Sequence, residues 1–226
     1  MSDRTYQGSR GLVTGGLVAV AAGSAGMLDL HVTSGLNPLS ETISEYIFAA
    51  DGWLLPASLV VLSAGAAMLA LAVTRVGGDR RAAWLMGLWG GCLLIVAAFP
   101  TDRPGLPLSM SGSIHRYAAF VAFLSLPLAG LILTRRGCYA RMVKALSVAA
   151  LGSLTAMTVP YAAVTLGLDM VGLPGLTQRL VVVSEVALLV LLGLVVLRAA
   201  GGVEVRVGLD RVAVPDLDRA GLGVDQ

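Results

Sequence analysis

The chain has 226 residues, of which 56% are hydrophobic and 13% are charged, and its formal net charge is +2. The mean hydropathy of +0.82 is too high for a soluble domain, and the length exceeds what a single membrane anchor needs. The composition therefore predicts a protein with several membrane spans. It speaks against a nucleic-acid-binding role, because membrane topology accounts for the positions of the basic residues.

Six apolar segments are long enough to cross a bilayer as helices, at about 20 residues each. A transmembrane β-barrel would show alternating apolar and polar residues, whereas the last segment contains the continuous run VVVSEVALLVLLGLVVL. The first segment is longer than the apolar region of a secretory signal, and we interpret it as a retained helix. The segments lie near residues 11–30, 53–73, 83–99, 114–134, 143–167 and 180–198.

These segments predict an all-α fold, a polytopic six-helix transmembrane bundle over residues 11–198. A cytoplasmic N-terminal tail at 1–10 and a polar cytoplasmic C-terminal tail at 199–226 flank the bundle. The alternating sequence VEVRV in the second tail is compatible with a short strand.

The basic residues predict how the bundle is oriented. If successive helices alternate in direction, thirteen of the 16 Lys and Arg residues lie on one side, and the positive-inside rule assigns that side to the cytoplasm. Both termini of this cell-membrane protein are then cytoplasmic. Both histidines and half of the 14 acidic residues fall in or near the outer loops or the outer helix ends, so a functional site is expected on the outer side.

The first outer loop is unusually polar, with the sequence NPLSETISEY at residues 37–46. Asn37 is a favourable N-cap and Pro38 a favourable first helical residue, so the loop predicts a short amphipathic helix over 39–48. Such a helix lies along the membrane interface or folds back between the spans. Its carboxylates either face a site or are simply hydrated. The polar face of this helix would consist of Glu41, Ser44 and Glu45.

Two consecutive helix ends bring further polar residues to the same side. Pro100 ends the third helix and leaves Asp102 and Arg103 just beyond it. His115 and Arg116 lie in the first turn of the fourth helix. These side chains form either part of a site or a salt-bridge network that fixes helix packing.

The sixth helix carries a carboxylate inside an apolar segment. Gln178 and Glu185 are seven residues apart and share one stripe of the helix. A charged group in the bilayer is costly and usually faces the bundle interior and a partner. Glu185 therefore pairs with Arg179, Arg116 or His115, is protonated at neutral pH, or hydrogen-bonds to a neighbouring helix.

The order of these motifs resembles the membrane-protein family called domain of unknown function 998. The resemblance rests on NPLSETISEY, on FPTD after the third helix, on Gly112-x-x-His115 and on Gln178-Arg179. It covers about residues 11–200 and implies a six-helix integral membrane protein of bacteria or archaea, without supplying a reaction. The residues that it carries over are Asn37, Ser40, Ser44, Glu45, Asp102, His115, Gln178 and Arg179.

The sequence contains only part of the residues that a metal site would need. A catalytic metal could take His31, His115 and Asp102, but the chain has only two histidines. Cys92 is predicted mid-membrane and Cys138 in a cytoplasmic turn, so neither can join the outer cluster. We assign no cofactor and no metal.

A Ser–His–Asp hydrolase would need Ser40 or Ser44 beside His115 and Asp102. The Gly-x-Ser-x-Gly turn that exposes such a nucleophile does not occur in the chain. In another enzymatic interpretation, Glu185 acts as a buried general acid on a lipid while arginines hold a phosphate.

We therefore predict an outer polar pocket that binds or modifies a lipid-like or isoprenoid substrate. The alternatives are a non-catalytic structural or lipid-binding accessory protein, and a small transporter in which Pro127 and Pro160 break helices. The expected catalytic residues are Glu45, Asp102, His115 and Glu185. The expected substrate-binding residues are Asn37, Ser40, Ser44, Arg116, Gln178 and Arg179.

Overall fold

The computed structural model describes residues 3–133, 139–168 and 172–212, and these form an all-helical protein. Six of its helices are long and apolar enough to cross a membrane, which confirms the predicted fold class. The helices are α1 (Asp3–Thr33), α2 (Leu54–Arg75), α3 (Arg80–Ala98), α4 (Met110–Leu133), α5 (Ala140–Thr165) and α6 (Pro174–Val212), with a short 3₁₀ helix at Ile43–Phe48. We call this 3₁₀ helix the rim helix.

Consecutive helices pack side by side, and α6 returns to contact α1, α2 and α4. Glycines set the closest of these approaches. A Cβ atom at Gly65 of α2 would lie 2.9 Å from the carbonyl oxygen of Gly16 in α1, and one at Gly23 would lie 2.8 Å from that of Ser58. Small residues thus let α1 and α2 pack backbone to backbone, as is common in membrane helices.

The backbones of α3 and α6 do not approach each other closely within the described ranges. Side chains from several helices fill most of the space between them, and the main apolar core includes Met86, Leu126, Leu188 and Leu192. The remaining space forms a cavity, which is described below.

The first loop differs from its prediction. The Asn37 side chain accepts a hydrogen bond from the Leu39 N–H, and the Glu41 carboxylate accepts one from the Asn37 N–H. These bonds close a separate turn, so the rim helix begins only after Thr42 and is 3₁₀ rather than α. The loop thus contains the predicted short helix, but its predicted start at residue 39 and its Asn37 cap were wrong, because local side chains offered the backbone an alternative to helical hydrogen bonding there.

The end of α6 also differs from its prediction. The helix continues through VEVRV to Val212, so this segment is helical rather than a strand. Pro215, which is the next residue that would interrupt a helix, comes only after that point. Residues 213–226 of the predicted tail lie outside the described residues, as does Cys138.

The ends of α1, α3 and α5 and the starts of α2, α4 and α6 lie at one end of the bundle, together with the rim helix. We call this end the rim. Pro127 and Pro160 are accommodated inside α4 and α5, each of which is one helix over its described length.

Candidate functional site

Arg179 at the start of α6 is the main connection between the rim and the first loop. Its Nη1 donates to the carbonyl oxygens of Pro38 at 3.0 Å, Glu41 at 2.7 Å and Gly175 at 3.0 Å. Its Nη2 donates to the Tyr46 hydroxyl oxygen at 2.9 Å. The planar guanidinium suits this role, since it presents several donors in a fixed geometry.

Neighbouring residues of α6 hold the same loop. The Gln178 Oε1 atom accepts a hydrogen bond from the Ile43 N–H at 2.6 Å, and the Leu176 N–H donates to the Leu39 carbonyl at 3.2 Å. Gly175 permits this contact, because a Cβ atom there would lie 2.5 Å from the Glu41 carbonyl oxygen. The loop is therefore fastened to α6 along one full turn.

Tyr46 joins the rim helix to α1. Its side chain is buried, and its hydroxyl group lies 2.8 Å from Nδ1 of His31. Because the Arg179 N–H already donates to the tyrosine oxygen, the tyrosine proton is available for His31. This chain of hydrogen bonds connects α6, the rim helix and α1.

Asp102 holds the start of α4. The carboxylate accepts hydrogen bonds from the Ser109 side chain and backbone N–H, and these bonds lower its pKa. Gly112 lies directly against the carboxylate, where a Cβ atom would overlap it. The glycine of the Gly112-x-x-His115 motif thus provides room for Asp102.

Below the rim helix lies a cavity of about 60 Å³ between α2, α3, α4 and α6. Most of the side chains that line it are apolar, among them Leu59, Leu93, Phe123 and Val182. The polar groups on its wall come from Ser44, Trp89, His115, Gln178 and Glu185.

Glu185 is the most unusual of these residues, because it is a carboxylate with only 1% of its surface exposed. Its Oε2 atom accepts a hydrogen bond from the Trp89 indole N–H at 2.9 Å. Its Oε1 atom is buried and has no hydrogen-bond partner among the described residues. A buried polar atom without a partner is costly, so Oε1 marks a place where a hydrogen-bonding group is missing.

His115 is also buried, and its Nδ1 atom lies 2.8 Å from the Phe99 carbonyl oxygen. A carbonyl oxygen only accepts, so Nδ1 carries the hydrogen and Nε2 of the neutral ring is an acceptor. Because its orienting partner is a backbone carbonyl at the end of α3, His115 has a fixed tautomer without help from Asp102.

The structure divides the predicted site residues into two groups. Ser44, His115, Gln178 and Glu185 line the cavity together. The remaining predicted residues do not. Arg179, Asn37 and Asp102 bind backbone groups, Glu45 accepts from the N–H and hydroxyl of Thr42, and Ser40 and Arg116 are exposed.

Trp89 is the cavity residue that the sequence analysis missed. The sequence did contain a sign of its role, because a tryptophan buried in a membrane helix needs an acceptor for its indole N–H. Glu185 is 96 positions away in the chain, and only the packing of the helices shows that the two side chains meet.

The described residues form neither the metal centre nor the Ser–His–Asp triad that the sequence analysis considered. Among the described residues no three His, Cys, Asp or Glu side chains are grouped so that they could hold a metal ion. Asp102 and His115 are each engaged with other groups, namely Ser109 and the Phe99 carbonyl.

The fold and the cavity define a polytopic integral membrane protein with a polar group deep in its bundle. Residues 9–195 match the family described as "Protein of unknown function (DUF998)", and the chain belongs to this family. The predicted resemblance is thereby confirmed. Neither a curated protein nor a solved structure matches the chain.

Proposed function

We propose that the protein binds a lipid-like or isoprenoid molecule whose polar end occupies the cavity below the rim helix. The single observation that carries this proposal is the buried Glu185 in a mostly apolar cavity, with one oxygen bound to Trp89 and the other without a partner in the described part of the chain. Ligand sites are typically apolar, with a few placed polar groups that fix orientation. An intramembrane carboxylate is likewise a common mark of function.

The size of the cavity bears on how such a ligand enters. An engineered cavity of about 150 Å³ admits benzene, whereas this one measures about 60 Å³. It holds a few water molecules or the end of a chain, so a larger ligand requires the rim helix to move outward. Ile43 and Ser44 of the rim helix form part of the cavity wall, which makes this segment the natural cover.

The proposal also includes the orientation of the protein. Arg75, Arg80 and Arg81, at the junction of α2 and α3, lie opposite the rim, and by the positive-inside rule the rim would face away from the cytoplasm and both termini into it. The binding site then opens from the outer leaflet of the cell membrane.

The second candidate function is a structural or accessory role, and it too has an observation in its favour. Arg179, Gln178, Asp102 and Glu45 all bind parts of the protein itself. A rim that serves only to hold helices together would look the same. The cavity and its unpaired carboxylate oxygen favour ligand binding over this alternative.

The test compares two matched substitutions by native mass spectrometry of the protein released from detergent. Ala122→Leu places three additional carbon atoms in the cavity, whereas Ala64→Leu places them on an exposed face of α2. We expect a co-purifying lipid-like adduct on the wild type and on Ala64→Leu, and its loss from Ala122→Leu. An adduct of equal occupancy in all three proteins would contradict the proposal, as would its absence from the wild type. Turnover of the bound molecule would extend the function from binding to catalysis.

A further inference from the structure

The chemistry of the deep end of the cavity restricts which polar group a ligand presents there. This inference rests on the proposed function and concerns the same cavity. Glu185 lies eleven residues after the start of α6 at Pro174, or about 16 Å along the helix axis. Gln178 lies only four residues after that start. The cavity therefore has polar groups at two levels, separated by about 10 Å.

The lining contains no arginine or lysine among the residues that the structure describes. The guanidinium of Arg179 is bound to loop carbonyls and to Tyr46, and Arg116 is exposed. A phosphate group placed in the cavity would meet the carboxyl group of Glu185 without a compensating cation. Desolvating an anion under these conditions is strongly unfavourable, so a phosphorylated head group does not fit beside Glu185 at the deep end of the cavity.

A count of donors and acceptors distinguishes the remaining head groups. One acceptor near Trp89 lacks a partner, namely Oε1 of Glu185. An ionised Glu185 would compensate the charge of an ammonium group, but that group has three donors and only Oε1 is open to it, so two donors would stay unsatisfied in an apolar environment. A hydroxyl group has one donor, and it can also accept if the carboxyl group is protonated. It therefore satisfies Oε1 in either protonation state.

We propose that the Glu185–Trp89 pair is the binding site for the hydroxyl group of a long-chain or isoprenoid alcohol. The hydroxyl group bonds to Oε1 of Glu185, and the adjoining hydrocarbon lies against Leu59, Leu93 and Val182. An alcohol whose chain extends toward the rim helix places no charge in the bundle.

Trp89 provides the readout for a direct test. The chain has three tryptophans; Trp53 and Trp84 are 67% and 66% exposed, whereas Trp89 is 3% exposed. In a Trp53→Phe, Trp84→Phe background, fluorescence reports on the cavity alone. The detergent-solubilised protein is titrated with decanol, decyl methyl ether, decylamine and decyl phosphate at matched mole fractions in the micelle.

We expect decanol to bind about tenfold more tightly than its methyl ether, which keeps the oxygen and loses the donor, as for one hydrogen bond to a buried partner. Decyl phosphate should give no response, and decylamine should bind more weakly than decanol. In Glu185→Leu the preference for alcohol over ether should disappear, whereas Glu185→Gln should retain part of this preference.

Equal responses to alcohol and ether would overturn the alcohol site and leave the binding function standing. Tighter binding of decylamine or decyl phosphate than of decanol would likewise overturn it. The absence of a response to every probe would overturn both proposals. Because Glu185→Leu also removes the acceptor of the Trp89 N–H, the wild-type comparison of alcohol with ether decides the question if that variant fails to fold.

Discussion

The polar side chains of the rim and the carboxyl group at the deep end of the cavity differ in whether the protein itself supplies their hydrogen-bond partners. At the rim, the side chains of Arg179, Gln178 and Asp102 each bind a named group of the protein. In the cavity, one oxygen of Glu185 is buried and has no partner within the part of the chain that the structure describes. Gln178 also lines the cavity and is nevertheless bound to the protein, so hydrogen bonding rather than location distinguishes the side chains that hold the fold from the carboxyl oxygen that is available to a ligand.

The comparison predicts that substitutions at the rim act on stability, whereas substitutions in the cavity act on binding. Four variants test this division, and they follow from the largest expected effect to the smallest.

Arg179→Ala is expected to have the largest effect. It removes the donors to Pro38, Glu41 and Tyr46 and leaves the buried tyrosine oxygen without its arginine partner. We expect a loss of about 3 kcal/mol in the free energy of unfolding, measured by titration with a denaturing detergent. Arg116→Ala is the matched control, since Arg116 is exposed. Equal stability of the two variants would contradict the role given to Arg179.

Gly175→Ala tests the close contact between α6 and the first loop. A Cβ atom at this position would lie 2.5 Å from the Glu41 carbonyl oxygen and 2.7 Å from that of Pro38. The loop must shift, at an expected cost of about 1–3 kcal/mol. Gly91→Ala in α3 meets nothing within 4 Å and should be neutral or stabilising. The contact is refuted if Gly175→Ala behaves like Gly91→Ala in the same unfolding measurement.

Glu185→Gln is expected to change stability by less than about 1 kcal/mol, because the amide oxygen still accepts from the Trp89 N–H. Binding of the ligand should weaken nonetheless, since an amide cannot replace both carboxylate oxygens. Thermal unfolding and probe titration of the same sample measure the two effects. Severe unfolding of this variant would assign Glu185 to the structural group instead.

Asp102→Asn should have the smallest effect, and it should appear only in acid. The pKa of Asp102 is lowered by hydrogen bonds from Ser109, so the carboxylate contributes stability above its ordinary pKa of about 3.9. This contribution is lost as the pH falls through the lower, folded-state pKa. Wild-type stability should therefore fall more steeply than that of Asp102→Asn between about pH 5 and pH 3. Parallel pH profiles would rule out this linkage.

Much of the fold could be predicted from the sequence, because a membrane span is a local property. Continuous apolar runs are sufficient to locate six helices, as the structure confirms. The observed helix boundaries differ from the predicted ones where polar residues follow an apolar run. Asn37 and Glu41 closed a turn instead of starting a helix, and α6 continued to Val212 through residues that could have formed a strand.

The partners of the polar residues could not be predicted in the same way. The sequence indicated that Glu185 needs a partner and suggested Arg179, Arg116 or His115. The actual partner, Trp89, lies on α3, whose backbone does not approach that of α6 closely. Which side chains reach across a bundle depends on the rotation of each helix about its axis, and this rotation is set by packing along the whole helix rather than by local sequence.

The most direct test of this division is the thermal unfolding midpoint of three proteins with and without decanol. We expect Arg179→Lys to have a lower midpoint than the wild type but to retain an upward shift on addition of the alcohol. Glu185→Gln should have a midpoint close to that of the wild type and show only a small part of the wild-type shift. A full decanol shift in Glu185→Gln, or a midpoint as low as that of Arg179→Lys, would contradict the separation of rim and cavity.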